Sequence, residues 1–261
     1  MPIITLTSDL GVSSHYPAVV KGIILSAAPH TTLVDVSHLV PNFDTMEAAY
    51  LVRNSYRAFP AGTVHLIAVD PDEGQSRRGV AVFHDGHYFV GPNNGVLSLI
   101  FGPKTTDVVE IAHPDLERTD YPPSFRAARW LASCAAFLAT GGLLEEVGPP
   151  AELKELVWGD PSYADNCLRG KIVHIDKFGN AITNIRRDHF LQLKQERGFQ
   201  IFIRNVRLRR IVQSYPDVGK GDALAIFGSS QQLEIAIREG QASSLLGLKV
   251  HDMITIEFYG N

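Results

Sequence analysis

Five short clusters of acids, amides, hydroxyls and imidazoles stand where apolar runs end. They read TSDLG (7–11), DVSH (35–38), VDPDEG (69–74) and PNNG (92–95) in the first part of the chain, and HIDKFGNAITNI (174–185) later. A buried strand that ends in an aspartate, a proline and a glycine-containing turn delivers its last side chain to the crevice at the sheet's carboxyl edge. Asp70 is therefore the first candidate for chemistry, although the same residues also suit a turn carboxylate with solvated arginines behind it. Asp9 equally suits a helix cap and His38 a satisfied core histidine. Four such strand ends together are what a shared pocket at one sheet edge requires. In the later cluster, Asp176, Phe178 and Asn180 crowd around Gly179. A glycine admits close backbone approach, an amide both donates and accepts along a heterocycle edge, and a phenyl ring stacks on a flat one. An ordinary β-turn from Asp176 to Asn180 accounts for the same residues.

The elements that must position these residues follow from the apolar periodicity. Strands are expected at 3–9, 32–38 and 62–70, alternating with helices at 17–29, 44–59 and 125–140, the last stopped by Gly141-Gly142. Residues 79–92 read as a hairpin turning at Asp85-Gly86, a pair suited to positive φ. Such βαβ alternation predicts a mostly parallel sheet covered by helices. Beyond a stretch rich in proline, glycine and turn residues, short strands spaced by turns predict a compact all-β barrel or sandwich. The expected fold is thus an α/β domain with a mostly parallel sheet over 1–150, a linker over 151–168, and an all-β domain over 169–261.

With 261 residues, 45% hydrophobic and 20% charged, and a formal net charge of −4, the chain has the composition of a soluble globular protein with no global pull toward nucleic acid or membrane. The basic run RNVRLRR (204–210) is the local exception, and its alternation suits a strand with one solvated face. Only Cys134 and Cys167 are present, without a CxxC partner. No disulfide framework or cysteine-based zinc site is implied, and a reducing cytoplasm is the natural compartment. The start of the sequence lacks the pattern of a signal peptide, and no apolar run has the length of a membrane span. The motifs for dinucleotides, P-loop triphosphates, serine hydrolases and HExxH zinc are absent. His84 and His87 are expected to be exposed on the hairpin, so no metal site is called for.

The ordered set TSDLG, YPAVVKG, VDVSH, FPAGTVHLIAVDP followed by RR, PNNG, HIDKFGNAITNI and SSQQLEIAIREGQA resembles the S-adenosyl-L-methionine (SAM) hydroxide adenosyltransferases, relatives of the fluorinases and chlorinases, over nearly the whole chain. The resemblance implies an N-terminal α/β domain, a C-terminal β-barrel, and a homotrimer with active sites between the N-domain of one subunit and the C-domain of the next. It implies attack of water on the ribose C5′ of SAM, giving adenosine and methionine, with no metal and no cofactor. By position, Asp9 resembles the carboxylate on the ribose hydroxyls, Asp176 the residue at the methionine ammonium, and Ser14 stands near the methionine end where an aspartate is expected. Phe178 and Asn180 match adenine-site positions, and Ser229 and Ala242 the C-terminal wall. Asp70 and Arg77 fall on the first two members of an Asp, Arg, His set that orients water. The third departs: Arg126 stands at the histidine position in SFRAARW, and arginine is no base near neutral pH. The alternatives are a module that binds SAM or adenosine without turnover, and a halogenase. The halogenase fits less well, because that branch has a tyrosine rather than an acid at the Asp70 position.

Overall fold

The computed structural model describes residues 1–71, 79–102, 107–113 and 125–260. Contacts divide the chain into two units, Met1–Val157 and Trp158–Asn261, so the stretch 151–168 read as a linker is shared between them.

The first unit is built on β1 (Ile3–Ser8), α1 (Tyr16–Ala27), β2 (Thr32–Ser37), α2 (Thr45–Ser55), β3 (Val64–Ala68), β4 (Gly79–His84), β5 (His87–Pro92), α3 (Val96–Phe101), β6 (Val108–Glu110), α4 (Arg126–Ala139) and α5 (Leu144–Val147). Its sheet has the order β2-β1-β3-β5-β4-β6. β1, β2, β3 and β5 pair in parallel, and β4 runs antiparallel to both its neighbours. That single reversal comes from the expected hairpin, with Asp85 at φ 52° and Gly86 at φ 81° supplying the two left-handed residues of a tight turn. Alternation along the strands sorts the faces. Ile4, Leu6, Val64 and Leu66 join Val20, Ile24, Leu131 and Cys134 of α1 and α4 in one core. Thr5, His65 and Phe89 point the other way, where His65 meets the Tyr56 ring just past α2 and Phe89 meets Phe101 of α3.

The second unit contains β7 (Ser162–Ala164), β8 (Cys167–Ile175), β9 (Ala181–Arg186), α6 (Arg187–Lys194), β10 (Gly198–Ile203), β11 (Val206–Leu208), β12 (Ala223–Phe227), β13 (Gln232–Ile237), α7 (Ala242–Leu245) and β14 (Met253–Tyr259). The strand order is β11-β10-β14-β8-β9-β13-β12, with β7 added beside β8. Every neighbouring pair is antiparallel. The terminal strands β11 and β12 lie against one another, so the sheet is a nearly closed barrel. The expected β-barrel is present, and it carries one addition, the 8-residue helix α6. Its reason is packing: Phe190 on α6 is 2% exposed and joins Leu168, Ile201 and Phe258 in the barrel core. The run 204–210 also differs from an alternating strand, since Arg204 at φ 50° turns the chain between β10 and β11.

Candidate functional site

Parallel strands end at the same edge, so the residues just past β1, β2 and β3 are brought together there. Asp9 follows β1, and its Oδ2 accepts from the backbone N–H groups of Phe43 at 3.0 Å and Asp70 at 3.3 Å. Both donors belong to residues with left-handed backbone, Phe43 at φ 66° and Asp70 at φ 45°. A side-chain-bearing residue occupies that region at a cost of about 1–3 kcal/mol, which surrounding bonds must offset. For Asp70 they come from both sides. Asp9 takes the N–H, and Nδ2 of the buried Asn94 donates to the carbonyls of Val69 at 3.1 Å and Asp70 at 3.4 Å. Asn94 is itself fixed, its Oδ1 accepting from the N–H of Val96 at 3.1 Å as α3 begins. Oδ2 thus already accepts two backbone N–H bonds. Oδ1 is the oxygen without a partner among the described residues.

Behind Asp9 lies a hydrogen-bonded array. Ser8 Oγ is 2.7 Å from His38 Nδ1, His38 Nε2 is 3.1 Å from Asp35 Oδ1, and Lys21 Nζ donates to Asp35 Oδ2 at 2.7 Å. A carboxylate only accepts, so His38 donates from Nε2, and in the neutral ring Nδ1 then accepts from Ser8. Burial works against the Asp35 charge, yet the Lys21 hydrogen bond and the His38 contacts hold its carboxyl below the ordinary value. Ser8 and His38 are 2% and 7% exposed, which fits the reading of His38 as a satisfied core histidine. The backbone N–H of Gly11 donates to the His38 carbonyl at 2.8 Å, tying the Asp9 loop to the end of β2.

The remaining sequence candidates of this unit are less engaged. Asp9 does not cap α1, whose N-cap position is His15. Ser14 is exposed and its Oγ donates back to the Leu10 carbonyl at 2.9 Å. Arg126 is exposed at the first residue of α4. The adjacent Phe125 ring lies 4.8 Å from that of Tyr16, which holds the start of α4 beside the start of α1. Arg77 lies outside the described residues. The expectation that the hairpin histidines are exposed fails for His87, which is 5% exposed with Nδ1 3.2 Å from His65 Nε2. His84 and His87 stand opposite one another across the hairpin on one face of the sheet, and helices cover that face: His87 meets the Tyr56 ring at 5.5 Å, and His84 is half-buried, stacked on Phe101 at 4.6 Å. Among the described residues no three His, Cys, Asp or Glu side chains group to hold a metal ion, and no helix is long and apolar enough to cross a membrane.

In the second unit, the segment between β8 and β9 is a tight turn organised by one carboxylate. Asp176 Oδ1 accepts from the N–H groups of Phe178 and Asn180, each at 2.9 Å, and Oδ2 accepts from Asn180 Nδ2 at 3.0 Å. Gly179 takes φ +80°, and a Cβ there would sit 2.8 Å from the Gln241 Cβ. Its carbonyl accepts from the N–H of Ser243 at 2.8 Å, so the buried Ala242 and the start of α7 are fastened to the turn. Phe178 projects outward, 74% exposed.

Two residues that sequence reasoning missed complete this cluster. Asn180 Nδ2 also donates to the Tyr215 hydroxyl at 3.4 Å, and that hydroxyl donates to Glu234 Oε1. Glu234 is 8% exposed on β13, and burial pushes its carboxyl above the ordinary range. Burial and the Glu234 bond push the Tyr215 hydroxyl up as well. The signal for Glu234 was present in LEIAI, where one acid interrupts an inward-facing apolar run. Gly228 leaves room for the Glu234 carboxylate, since a Cβ there would sit 2.7 Å from its Oε2. Ser229 follows in the exposed turn before β13.

The electrostatic logic fixes the Asn180 amide. Its nitrogen must face the Asp176 carboxylate, and both of its N–H groups are then consumed, one by Asp176 and one by Tyr215. Only Oδ1 is left for a ligand, so this edge presents an acceptor that complements an N–H donor such as an exocyclic amine.

Comparison with known proteins agrees with this division. Residues 4–148 match the model of the SAM hydroxide adenosyltransferase N-terminal domain, and residues 170–255 that of the C-terminal domain. A Thermus thermophilus protein named (R)-S-adenosyl-L-methionine hydrolase is 32% identical over 93% of this chain and 94% of its own. A fluorinase from Nocardia brasiliensis is 32% identical over 71% of this chain and 72% of its own. The crystal structure of an uncharacterized conserved protein from Thermotoga maritima superposes with a TM-score of 0.89 at 30% identity, covering 97% of this chain and 99% of that one. Two domain models matched in order, on the two units that carry the Asp9 and Asp176 clusters, place this chain in the SAM hydroxide adenosyltransferase family.

Proposed function

We propose that the protein hydrolyses S-adenosyl-L-methionine to adenosine and L-methionine by attack of water on the ribose C5′. The observation that carries this reading is Asp70. An acidic residue is held at a left-handed backbone position by Asp9 on one side and Asn94 on the other, at the edge where parallel strands end. Backbone bonds on both sides fix where the Asp70 side chain leaves the chain, which narrows the positions its carboxylate can take toward a reacting water.

In the reaction, a lone pair of water forms the C5′–O bond while the C5′–S pair departs onto the sulfonium, which leaves as the neutral thioether of methionine. The proton released by water passes to the Asp70 carboxylate and then to solvent. Sulfonium is a good leaving group as it stands, so no cofactor is needed and the protein's task is alignment and water exclusion. Asp9 Oδ1 accepts from the ribose hydroxyls, Arg77 and Arg126 orient Asp70 and the water, and Ser14 lies toward the methionine end. The Asp176 turn takes the rest of the substrate. Asn180 Oδ1 accepts from the adenine amine, Phe178 stacks on the ring, Ser229 and Ala242 form the wall, and the remaining lone pair of Asp176 Oδ2 meets the methionine ammonium. The active form is a homotrimer in which neighbouring subunits share each site.

The test is incubation of the protein with SAM and chromatography of the products. Equimolar adenosine and methionine support the proposal; no adenosine above the buffer control, from protein of trimeric mass, refutes it. Arg126 favours one second reading, a module that binds SAM or adenosine without turnover. Calorimetric adenosine binding in a protein that forms no adenosine from SAM selects that reading.

A further inference from the structure

A cavity of about 550 Å³ opens in the second unit between α6 and the segment that joins β11 to β12. None of its lining residues belongs to the Asp176, Asn180, Tyr215 and Glu234 cluster. Its floor is apolar: the Phe190 ring stands edge-on to Phe199 at 5.1 Å and tilted against Phe227 at 5.6 Å. Phe199 and Phe227 are half-buried, so their surfaces are offered to whatever enters.

The rim is cationic. Arg187 and Lys194 come from α6, Arg209 and Arg210 from the end of the basic run, and among the described residues no acidic side chain lines the cavity. In a chain of net charge −4, four cations around one hollow is a local inversion of sign. The nearby acids are engaged elsewhere. Asp188 pairs with Arg186 at 3.2 Å, and the Asp217 carboxylate accepts from Ser214 Oγ and from the Gln213 and Ser214 N–H groups. Arg210 donates to the Asp217 carbonyl at 3.1 Å and its charge also acts on the Asp217 carboxylate, whereas Lys194 donates to the Gln195 carbonyl at 3.1 Å, a bond that leaves the Lys194 charge uncancelled. The side chains of Arg187 and Arg209 make no hydrogen bond or ion pair among the described residues.

We propose that this cavity is a second ligand site, for a small organic anion with at least two negative charges and a flat apolar body, the chemistry of a nucleoside phosphate. The volume lies in the range of small-molecule sites. Guanidinium groups bind phosphate through paired N–H bonds, and a phenylalanine floor receives an aromatic ring. A neutral nucleoside has no use for the rim, and inorganic phosphate has none for the floor.

The test uses full-length protein saturated with adenosine, so that the Asp176 cluster is filled. Titrations follow uridine diphosphate, 1-naphthyl phosphate, inorganic phosphate and a short single-stranded RNA. Saturable binding of the first two, tighter than inorganic phosphate and weakened at least tenfold in Arg187→Glu/Arg209→Glu, is the expected result. Unchanged adenosine affinity in that variant shows that it is folded. Binding of the RNA alone, no saturable binding of either uridine diphosphate or 1-naphthyl phosphate, or equal binding by the variant overturns the proposal. A rise in oligomeric state abolished by the variant, without ligand binding, also overturns it, because the occupant is then a second copy of the chain.

Discussion

Acid should weaken the first unit well before its carboxylates titrate, through His65. This ring is 1% exposed, with Nδ1 2.7 Å from Thr5 Oγ1, Nε2 3.2 Å from His87 Nδ1, and its face stacked 4.9 Å from Phe89. Burial, with His87 adding to it, pushes its pKa down to about 3. The folded pKa lies below the unfolded value of about 6.5, so unfolding takes up a proton and the stability held at neutral pH is lost as pH falls through 6.5. At about 1.36 kcal/mol per pKa unit, the loss reaches roughly 2 kcal/mol at pH 5 and about 3 kcal/mol at pH 4, levelling off near pH 3. Burial lowers His87 as well and steepens the trend. Raised Glu234 works with the opposite sign, because protonation relieves it in the folded state, and it acts in the second unit. Urea unfolding of the full chain followed by a signal from the first unit, from pH 7.5 to 4.5, measures the slope. His65→Phe keeps the ring stack and strands the Thr5 hydroxyl, costing about 1–3 kcal/mol at all pH values while flattening the slope. A wild type whose stability is level between pH 7 and 5, or a variant with the parental slope, refutes the reasoning.

Three further outcomes follow from the site. Asp70→Asn should lower turnover of SAM by roughly 100-fold with adenosine affinity unchanged, since only water activation is removed; equal loss of both in kinetics and calorimetry would count against that role. Glu234→Ala should weaken adenosine binding about fivefold and reduce its margin over inosine, because Tyr215 is released and Asn180 loses one of the two partners that orient it, at about 1 kcal/mol for the bond. Glu234→Gln should restore most of both in the same competition assay. Gly179→Ala forces a Cβ into φ +80° and to 2.8 Å from Gln241. It should destabilise the second unit by about 1–3 kcal/mol in denaturant melts, and a neutral result would mean that the turn is not held as drawn.

Much of this architecture is legible from local patterns. The strands past which Asp9 and Asp70 sit, the hairpin at Asp85-Gly86 and the stop of α4 at Gly141 each follow from periodicity and turn chemistry, which act over a few residues. What escaped depends on partners distant in the chain. Phe190 makes α6 part of the barrel through contacts with strands on both sides, so RRDHFLQLK carries no strong helix signal of its own. His87 reads as a hairpin histidine until His65 on β3 and the Tyr56 ring past α2 claim its environment. Glu234 and Tyr215 lie 54 and 35 residues from Asn180, and it is long-range contact, for Glu234 the pairing of β13 with β9, that brings them to it. Family resemblance supplied the roles at Asp9, Asp176 and Asn180, but it did not show how their polar atoms are already spent.

That spending changes what the two carboxylates can do. Asp9 gives one oxygen to two backbone N–H groups, and Asp176 gives three of its four lone pairs to its own turn. Each acid is first a hub that sets a loop, and only its remainder is free to touch a ligand. Preorganisation and recognition then share bonds: the Asp70 N–H on Asp9 Oδ2 is one of those that hold Asp70 left-handed, with Asn94 supplying the others, and the Asn180 N–H that fills Asp176 Oδ2 fixes which end of that amide stays unbonded. Removing either acid cannot be a clean loss of one substrate contact. The charge and the shape of the site fall together, because one atom supports both.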